Sequence, residues 1–257
     1  MTTITIVSAL MSGALVGALL GLFGGGGSVL ATPLLLYVVG VRDPHVAIGT
    51  SAAAVAVNAA LNLVGHGWGG RVKWPCASVF AAAGLLGSFL GSSLAKAIDG
   101  QRLLLFFSVA MAAIALSMLR RPKSEGDPEV RITWALTLKL APLGVLTGLA
   151  AGFFGIGGGF LIVPGLMAAT GMTLAHAAAS SLVSVSLFGA ATSLNYALSG
   201  LVNWPIAGVF ILGGLAGGAL GVRGAGLLAG RALLARRLFA GLVLVVAAYV
   251  AWRATNG

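Results

Sequence analysis

Two clusters of glycine, each set inside an apolar stretch, carry the chemistry of this chain. The first reads Gly17-Ala-Leu-Leu-Gly21-Leu-Phe23-Gly24-Gly25-Gly26-Gly27 and is followed by Pro33; the second reads Gly148-Leu-Ala-Ala-Gly152-Phe-Phe154-Gly155-Ile156-Gly157-Gly158-Gly159 and is followed by Pro164. A glycine inside a helix costs roughly 1 kcal/mol relative to alanine, so runs of this kind in an apolar segment need a reason. A helix that stops within a bilayer leaves amides unpaired unless they line a cavity. Free N–H groups at the start of a half-helix form a neutral cradle for an anion, helped by the helix dipole and needing no buried arginine. The spacing therefore predicts an anion site at Gly24, Gly25, Gly26 and Gly27 and at Gly155, Gly157, Gly158 and Gly159. The more scattered glycines (Gly13, Gly17 and Gly21; Gly84, Gly87 and Gly91) read instead as close helix packing.

The hydroxyl and amide residues near the clusters form a second group. Thr50 and Ser51 open the segment after the first short piece, and Ser180 and Ser181 open its counterpart. They serve either as donors to the solute or as hydrogen-bond glue between helices. At helical spacing Ser51, Asn58 and Asn62 share one face, with Thr192 and Asn195 in the analogous stripe; glue is the favoured reading for the asparagines. His45 and His176 follow the short pieces and serve either as proton shuttles or as helix-starting interfacial residues. Arg42 either attracts anions or is simply solvated. Trp74-Pro75 and Trp204-Pro205 read as interface anchors with proline in a first helical turn.

What is missing excludes several classes. The only acids are Asp43, Asp99, Glu125, Asp127 and Glu129, and none lies in the middle of an apolar segment. Cation-coupled carriers usually keep one there. No Gly-Lys-Ser/Thr follows the glycines, which excludes a phosphate-binding loop. No Cys/His/carboxylate set has metal-ligand spacing, so neither a metal nor a cofactor is expected. The lone Cys76 excludes an internal disulfide.

The elements that position these residues are membrane helices. The 257 residues are 59% hydrophobic and 8% charged, with a mean hydropathy of +1.06, far from the balance of a soluble domain. Apolar stretches run over 4–24, 27–40, 45–65, 74–97 and 103–119, then 133–155, 159–172, 175–199, 204–229 and 233–252. Between the two sets lies the polar run Arg120-Arg-Pro-Lys-Ser-Glu-Gly-Asp-Pro-Glu-Val-Arg131. The first stretch has no basic leader and has a repeat partner deep in the chain, so it reads as a membrane helix and not as a cleaved signal. The net charge of +10 is spread over short loops and indicates positive-inside topology, not a nucleic-acid partner.

The two halves repeat. Gly17, Gly21, Phe23, Gly24, Gly26, Gly27, Pro33 and His45 recur 131 positions later; after a one-residue slip Thr50-Ser51, Trp74-Pro75, Gly84, Gly87 and Gly91 fall on Ser180-Ser181, Trp204-Pro205, Gly214, Gly217 and Gly221. The division is 1–120, a linker 121–132, and 133–257, in one integral membrane unit. Each short piece of about 14 residues reaches only ~21 Å of a ~30 Å core. If the short pieces are absorbed into eight plain crossings, the basic residues divide eight against seven; if each short piece returns the chain to the side it left, they divide eleven against four. The second topology obeys the positive-inside rule and makes the repeats inverted. The expected fold is an all-α polytopic membrane protein of two inverted repeats, 8–10 segments and discontinuous helices at the glycines.

With these motifs the chain resembles the TauE/SafE family of sulfite exporters and sulfonate-related anion permeases. The resemblance rests on the doubled Gly-x-x-x-Gly-x-x-Gly-x-Gly-Gly core, on Pro33 and Pro164, and on His45 followed by Thr50-Ser51, with Ser180-Ser181 replacing a Thr-Ser in the second copy. It implies transport of small sulfur oxyanions or organosulfonates across a prokaryotic plasma membrane, without an ATPase. The expected function is a secondary transporter, an exporter of an anion such as sulfite, and not an enzyme; a passive anion channel and a carrier for another solute such as a cation are the rivals. The expected partners are the small anion and the lipid bilayer, with a homodimer allowed. The loops 120–131 and 223–237 are expected on the cytoplasmic side of the inner membrane.

Overall fold

The computed structural model describes residues 2–67, 70–119, 126–127, 130, 132–155, 159–227 and 232–256. Helix α1 (Thr3–Phe23) leads into a 3-10 segment (Gly24–Leu30), a short helix α2 (Ala31–Leu34) and a π-helical turn (Leu35–Val39). Then come α3 (Pro44–Gly67), α4 (Trp74–Lys96) and α5 (Gly100–Leu119). The second half repeats the order as α6 (Trp134–Phe154), α7 (Gly159–Thr170), α8 (Leu174–Ala197), α9 (Trp204–Leu227) and α10 (Ala232–Asn256). The fold is all-helical, and among the described residues eight helical runs are long and apolar enough to cross a membrane.

The run from Thr3 to Val39 is not a single rod. Gly24 takes a φ of +63°, which favours glycine, and ends α1. Beyond it the chain doubles back, because Gly27 lies directly on the Leu19–Leu20 backbone of α1. In an unbroken helix eight residues would separate these positions by ~12 Å. The second half stops α6 in the same way, at Gly155 with φ +66°.

Glycine also decides how the helices pair. Gly13, Gly17 and Gly21 of α1 sit on the backbone of Phe210, Gly214 and Gly218–Val222 of α9, so these helices run parallel in direct backbone contact. Gly144, Gly148 and Gly152 of α6 sit on Phe80, Gly84 and Ser88 of α4 in the equivalent way. Where no apolar driving force separates protein from solvent, close van der Waals approach of this kind is what holds helices together. Helices α3 and α8 run antiparallel, with Gly49 against Tyr196 and Gly189 against Ala52 and Ala56. The pairings α1–α9, α4–α6, α3–α8 and α5–α10 dominate the packing, and exchanging the two halves maps this set onto itself. Neither half is therefore a packed unit by itself.

Layering follows polarity. The pair α3–α8 is the most buried and carries most of the buried polar side chains, while α5 and α10 show Leu, Val and Phe to the surroundings. Trp74, Trp134, Trp204 and Trp252 are exposed near helix ends, the placement of an aromatic belt. At one end of the molecule the Asp127 N–H donates to the Gly171 carbonyl (2.8 Å), which brings the polar linker onto the α7–α8 turn.

Because a methyl group at Gly17 or Gly148 would strike the backbone of the facing helix, Gly17→Ala and Gly148→Ala are expected to destabilise the protein by about 1–3 kcal/mol. Gly241, with open space around it, is the control position for alanine. Thermal unfolding in detergent measures both; equal midpoints for all three variants would contradict the backbone contact.

Candidate functional site

The two glycine breaks meet. Gly159, the first residue of α7, packs on the backbone of Gly25, and neither position has room for a side chain. Gly24 rests on the backbone of Ala178 in α8, and Gly155 rests on Ile48 in α3, the repeat equivalent of Ala178. Each break is thus held by the central helix of the opposite half. Gly26 differs, since a Cβ there would make only ordinary contacts near 3.8 Å with Phe23 and Phe239. Gly157 and Gly158 lie outside the described residues.

Two serines face the breaks. Ser181 Oγ accepts a hydrogen bond from the Gly25 N–H (3.0 Å) and donates to the Ala178 carbonyl (2.7 Å). Ser51 Oγ donates to the Ile48 carbonyl (2.9 Å), shares a hydrogen bond with Thr32 Oγ1 (2.8 Å), and lies 3.5 Å from the Gly155 carbonyl. Both serines are fully buried. A hydroxyl has a single proton, so in this arrangement each serine offers its oxygen to the centre and spends its proton on its own helix. The Gly25 amide, expected free, is paired with Ser181.

Thr50 and Ser180 point elsewhere. Thr50 Oγ1 accepts from the Asn203 N–H (2.9 Å) just before α9, and Ser180 Oγ accepts from the Lys73 N–H (2.9 Å) just before α4. These are the same contact in the two halves, a hydroxyl that caps the entry to a helix of the other half.

The remaining expected residues divide by location. Asn62 donates to the Asn58 carbonyl (2.9 Å). Thr192 Oγ1 bonds Ser88 Oγ (3.0 Å), and Asn195 Nδ2 donates to Ser92 (2.7 Å) and Ser93 (2.8 Å), which ties α8 to α4. The α8 bonds join two helices, whereas the Asn62 bond stays within α3; Asn58 alone in the stripe has a side chain without a partner among the described residues. His45 Nε2 donates to the Ile98 carbonyl (3.1 Å), and His176 Nδ1 bonds its own helix cap, Thr173 (2.8 Å). Among the described residues neither histidine makes a hydrogen bond to a glycine break, and Arg42 is exposed just ahead of α3.

Sequence reading missed Ser28 and Thr32. Both are buried in the piece after the first break; Ser28 Oγ donates to the Gly25 carbonyl (2.8 Å), and Thr32 reaches Ser51. The available signal was two hydroxyls four residues apart directly after the glycines, masked because the second copy has Gly159 and Val163 there. His66 is also buried, and its Nε2 donates to the Gly21 carbonyl (3.1 Å).

The model of the sulfite exporter TauE/SafE family matches residues 9–250 of the chain. The chain belongs to this family. A relative in Xylella fastidiosa strain Temecula1, named "Probable membrane transporter protein", is 53% identical over 98% of this chain and 97% of its own length. One from Haemophilus influenzae with the same name is 29% identical over 81% of this chain and 79% of its own, and the Bacillus subtilis protein YunE, also named as a transporter, is 27% identical over 85% and 86%. No solved structure matches. As a member of the TauE/SafE family the protein is a multi-pass membrane transporter.

Removing the cap hydroxyls takes the partner from a half-buried amide, at about 1 kcal/mol each. Thr50→Val and Ser180→Ala are therefore expected to lower the thermal midpoint together with the denaturant resistance of the folded protein. Wild-type stability in both variants would remove the capping role.

Proposed function

We propose that the protein is a secondary transporter that exports a small sulfur oxyanion or organosulfonate, sulfite being the simplest, by alternating access between two inverted repeats. The observation that carries this reading is the contact of two broken helices at Gly25 and Gly159, with a buried serine from the central helix of each half beside a break. Matching interruptions in the two halves of a membrane protein are where transporters bind their solutes. The antiparallel run of the repeat-equivalent helices α3 and α8 supports the inverted relation, because a two-fold axis that reverses a helix lies across it. The return of the chain along α1 after Gly24 supports the topology with eleven basic residues on one side. That side, with 120–131 and 223–237, is cytoplasmic in this proposal.

Binding exchanges hydrogen bonds. An entering anion takes the place of Ser181 Oγ as acceptor for the Gly25 N–H, and the Ser181 hydroxyl turns from the Ala178 carbonyl to donate to the solute. Ser51 turns from Ile48 in the same way, with Thr32 beside it. No carboxylate and no lysine is required, and the backbone dipoles supply the positive end. The breaks must separate to admit a solute, since they pack directly on each other. Such a closed contact favours a carrier over a passive channel. Rocking one half against the other would open it from either side.

In proteoliposomes the wild-type protein is expected to carry labelled sulfite with acceleration by sulfite on the far side, and to carry no cation. The double variant Ser51→Ala, Ser181→Ala is expected to raise KM by about tenfold or more, equivalent to ~1.4 kcal/mol. Flux without trans-acceleration would make the protein a channel; an unchanged KM would remove the serines from the site.

A further inference from the structure

The two halves part company at one buried position. Asn58 in α3 corresponds to Phe188 in α8 at the offset of 130, and both side chains are fully buried. Each lies over a glycine of the helix it crosses, Asn58 over Gly214 of α9 and Phe188 over Gly84 of α4, which are themselves repeat equivalents. A side chain at either glycine would collide with the residue above it. The facing glycines therefore match, while the buried group above them differs, and so do its neighbours one turn on, where α9 has Gly218 for Ser88 of α4 and α3 has Asn62 for Thr192 of α8.

In the second half the position is closed. The phenyl ring of Phe188 fills it, its carbonyl accepts from Ser88 Oγ (3.0 Å), and Ser88 also bonds Thr192. In the first half the carboxamide of Asn58 has no hydrogen-bond partner for Oδ1 or Nδ2 among the described residues. One turn on, Asn62 lies beside Gly218, and a further turn on, His66 leaves its Nδ1 without a partner. Asn58, Asn62 and His66 follow Ser51 along one face of α3 and lead toward the Arg71–Lys73 end. An orphaned buried amide destabilises a fold and asks for a reason. Polar groups inside membrane proteins that find no structural partner mark the paths of solutes.

We propose that Asn58 is a second solute-binding station, two turns of α3 from Ser51 on the Arg71–Lys73 side, and that Phe188 is an apolar plug in the equivalent place on the other side. This rests on the transport reading above. The carboxamide presents two N–H donors and one acceptor, which suits a small oxyanion or its singly protonated form. Gly214 and Gly218 give the amide its room, and an oxyanion leaving the breaks is handed from serine to asparagine. Phe188 thereby interrupts with an apolar ring the α8 stripe that also holds Ser184, Thr192 and Asn195, while Asn58 continues the α3 stripe with a polar group, so the two repeats are unequal gates.

The test uses the full chain with its single cysteine removed (Cys76→Ala), carrying Asn58→Cys or Phe188→Cys, in vesicles of known orientation. A small membrane-impermeant thiol reagent is expected to modify the Asn58→Cys variant about tenfold faster from the Arg71–Lys73 side than from the other, and the Phe188→Cys variant slowly from both. Equal rates from both sides at position 58, or faster reaction at 188, overturn the proposal. In parallel, Asn58→Leu is expected to raise KM for sulfite about tenfold with unimpaired thermal stability, since the equivalent position accepts an apolar side chain. A wild-type KM for Asn58→Leu beside an impaired Ser51→Ala, Ser181→Ala variant overturns this inference alone. A wild-type KM in both overturns the transport reading beneath it.

Discussion

A backbone interrupted inside a bilayer has no water to satisfy it, and every unpaired N–H or C=O there is costly. This constraint organises the molecule. The Gly25 amide finds Ser181, the Gly25 carbonyl finds Ser28, and the bare backbones of Gly25 and Gly159 fit together only because neither carries a side chain. Ser28 belongs to the same half as Gly25, but Ser181 and Gly159 come from the opposite half, so the two breaks hold each other in place. The parallel glycine seams of α1 with α9 and α4 with α6 serve the same end, since they bind each half to the other and keep the breaks in register.

The proposed site is built from uncharged groups. In the transport reading proposed above its donors are main-chain amides and hydroxyls whose bonds are already made, so a solute would enter by exchange and not by filling a charged hole. Hydrogen bonds exchanged one for one carry a small net free energy, which suits a carrier that must release what it binds. Among the described residues no carboxylate or basic side chain makes a hydrogen bond to the backbone at the breaks, in keeping with the cost of a fixed charge at that depth. At the equivalent buried positions 58 and 188 the two halves differ, one holding a carboxamide and the other a phenyl ring.

Much of this was legible in the sequence, for definite reasons. Runs such as Gly24 to Gly27 have no place in a continuous helix, so the break was readable from residue type alone, and the 131-residue offset exposed its twin. The all-helical membrane class followed from composition. Adjacent hydroxyls were harder. Thr50 and Ser51 are about 100° apart around a helix, and only the packing of α9 reveals that Thr50 caps Asn203 while Ser51 faces Gly155. Gly26 could not be told from Gly25, because openness depends on Phe23 and Phe239 from two different helices. Ser28 and Thr32 escaped because the repeat did not carry them, and the state of the Gly25 amide was hidden because Ser181 is 156 residues away.

The central claim, that an oxyanion binds between the two broken helices, is tested most directly by locating a heavier analogue. Crystals grown with selenite and measured at the selenium edge are expected to give one anomalous peak per chain within hydrogen-bond reach of the Gly25 amide and the hydroxyls of Ser51 and Ser181. A peak confined to the exposed basic loops, or none at concentrations that inhibit transport, would contradict the account.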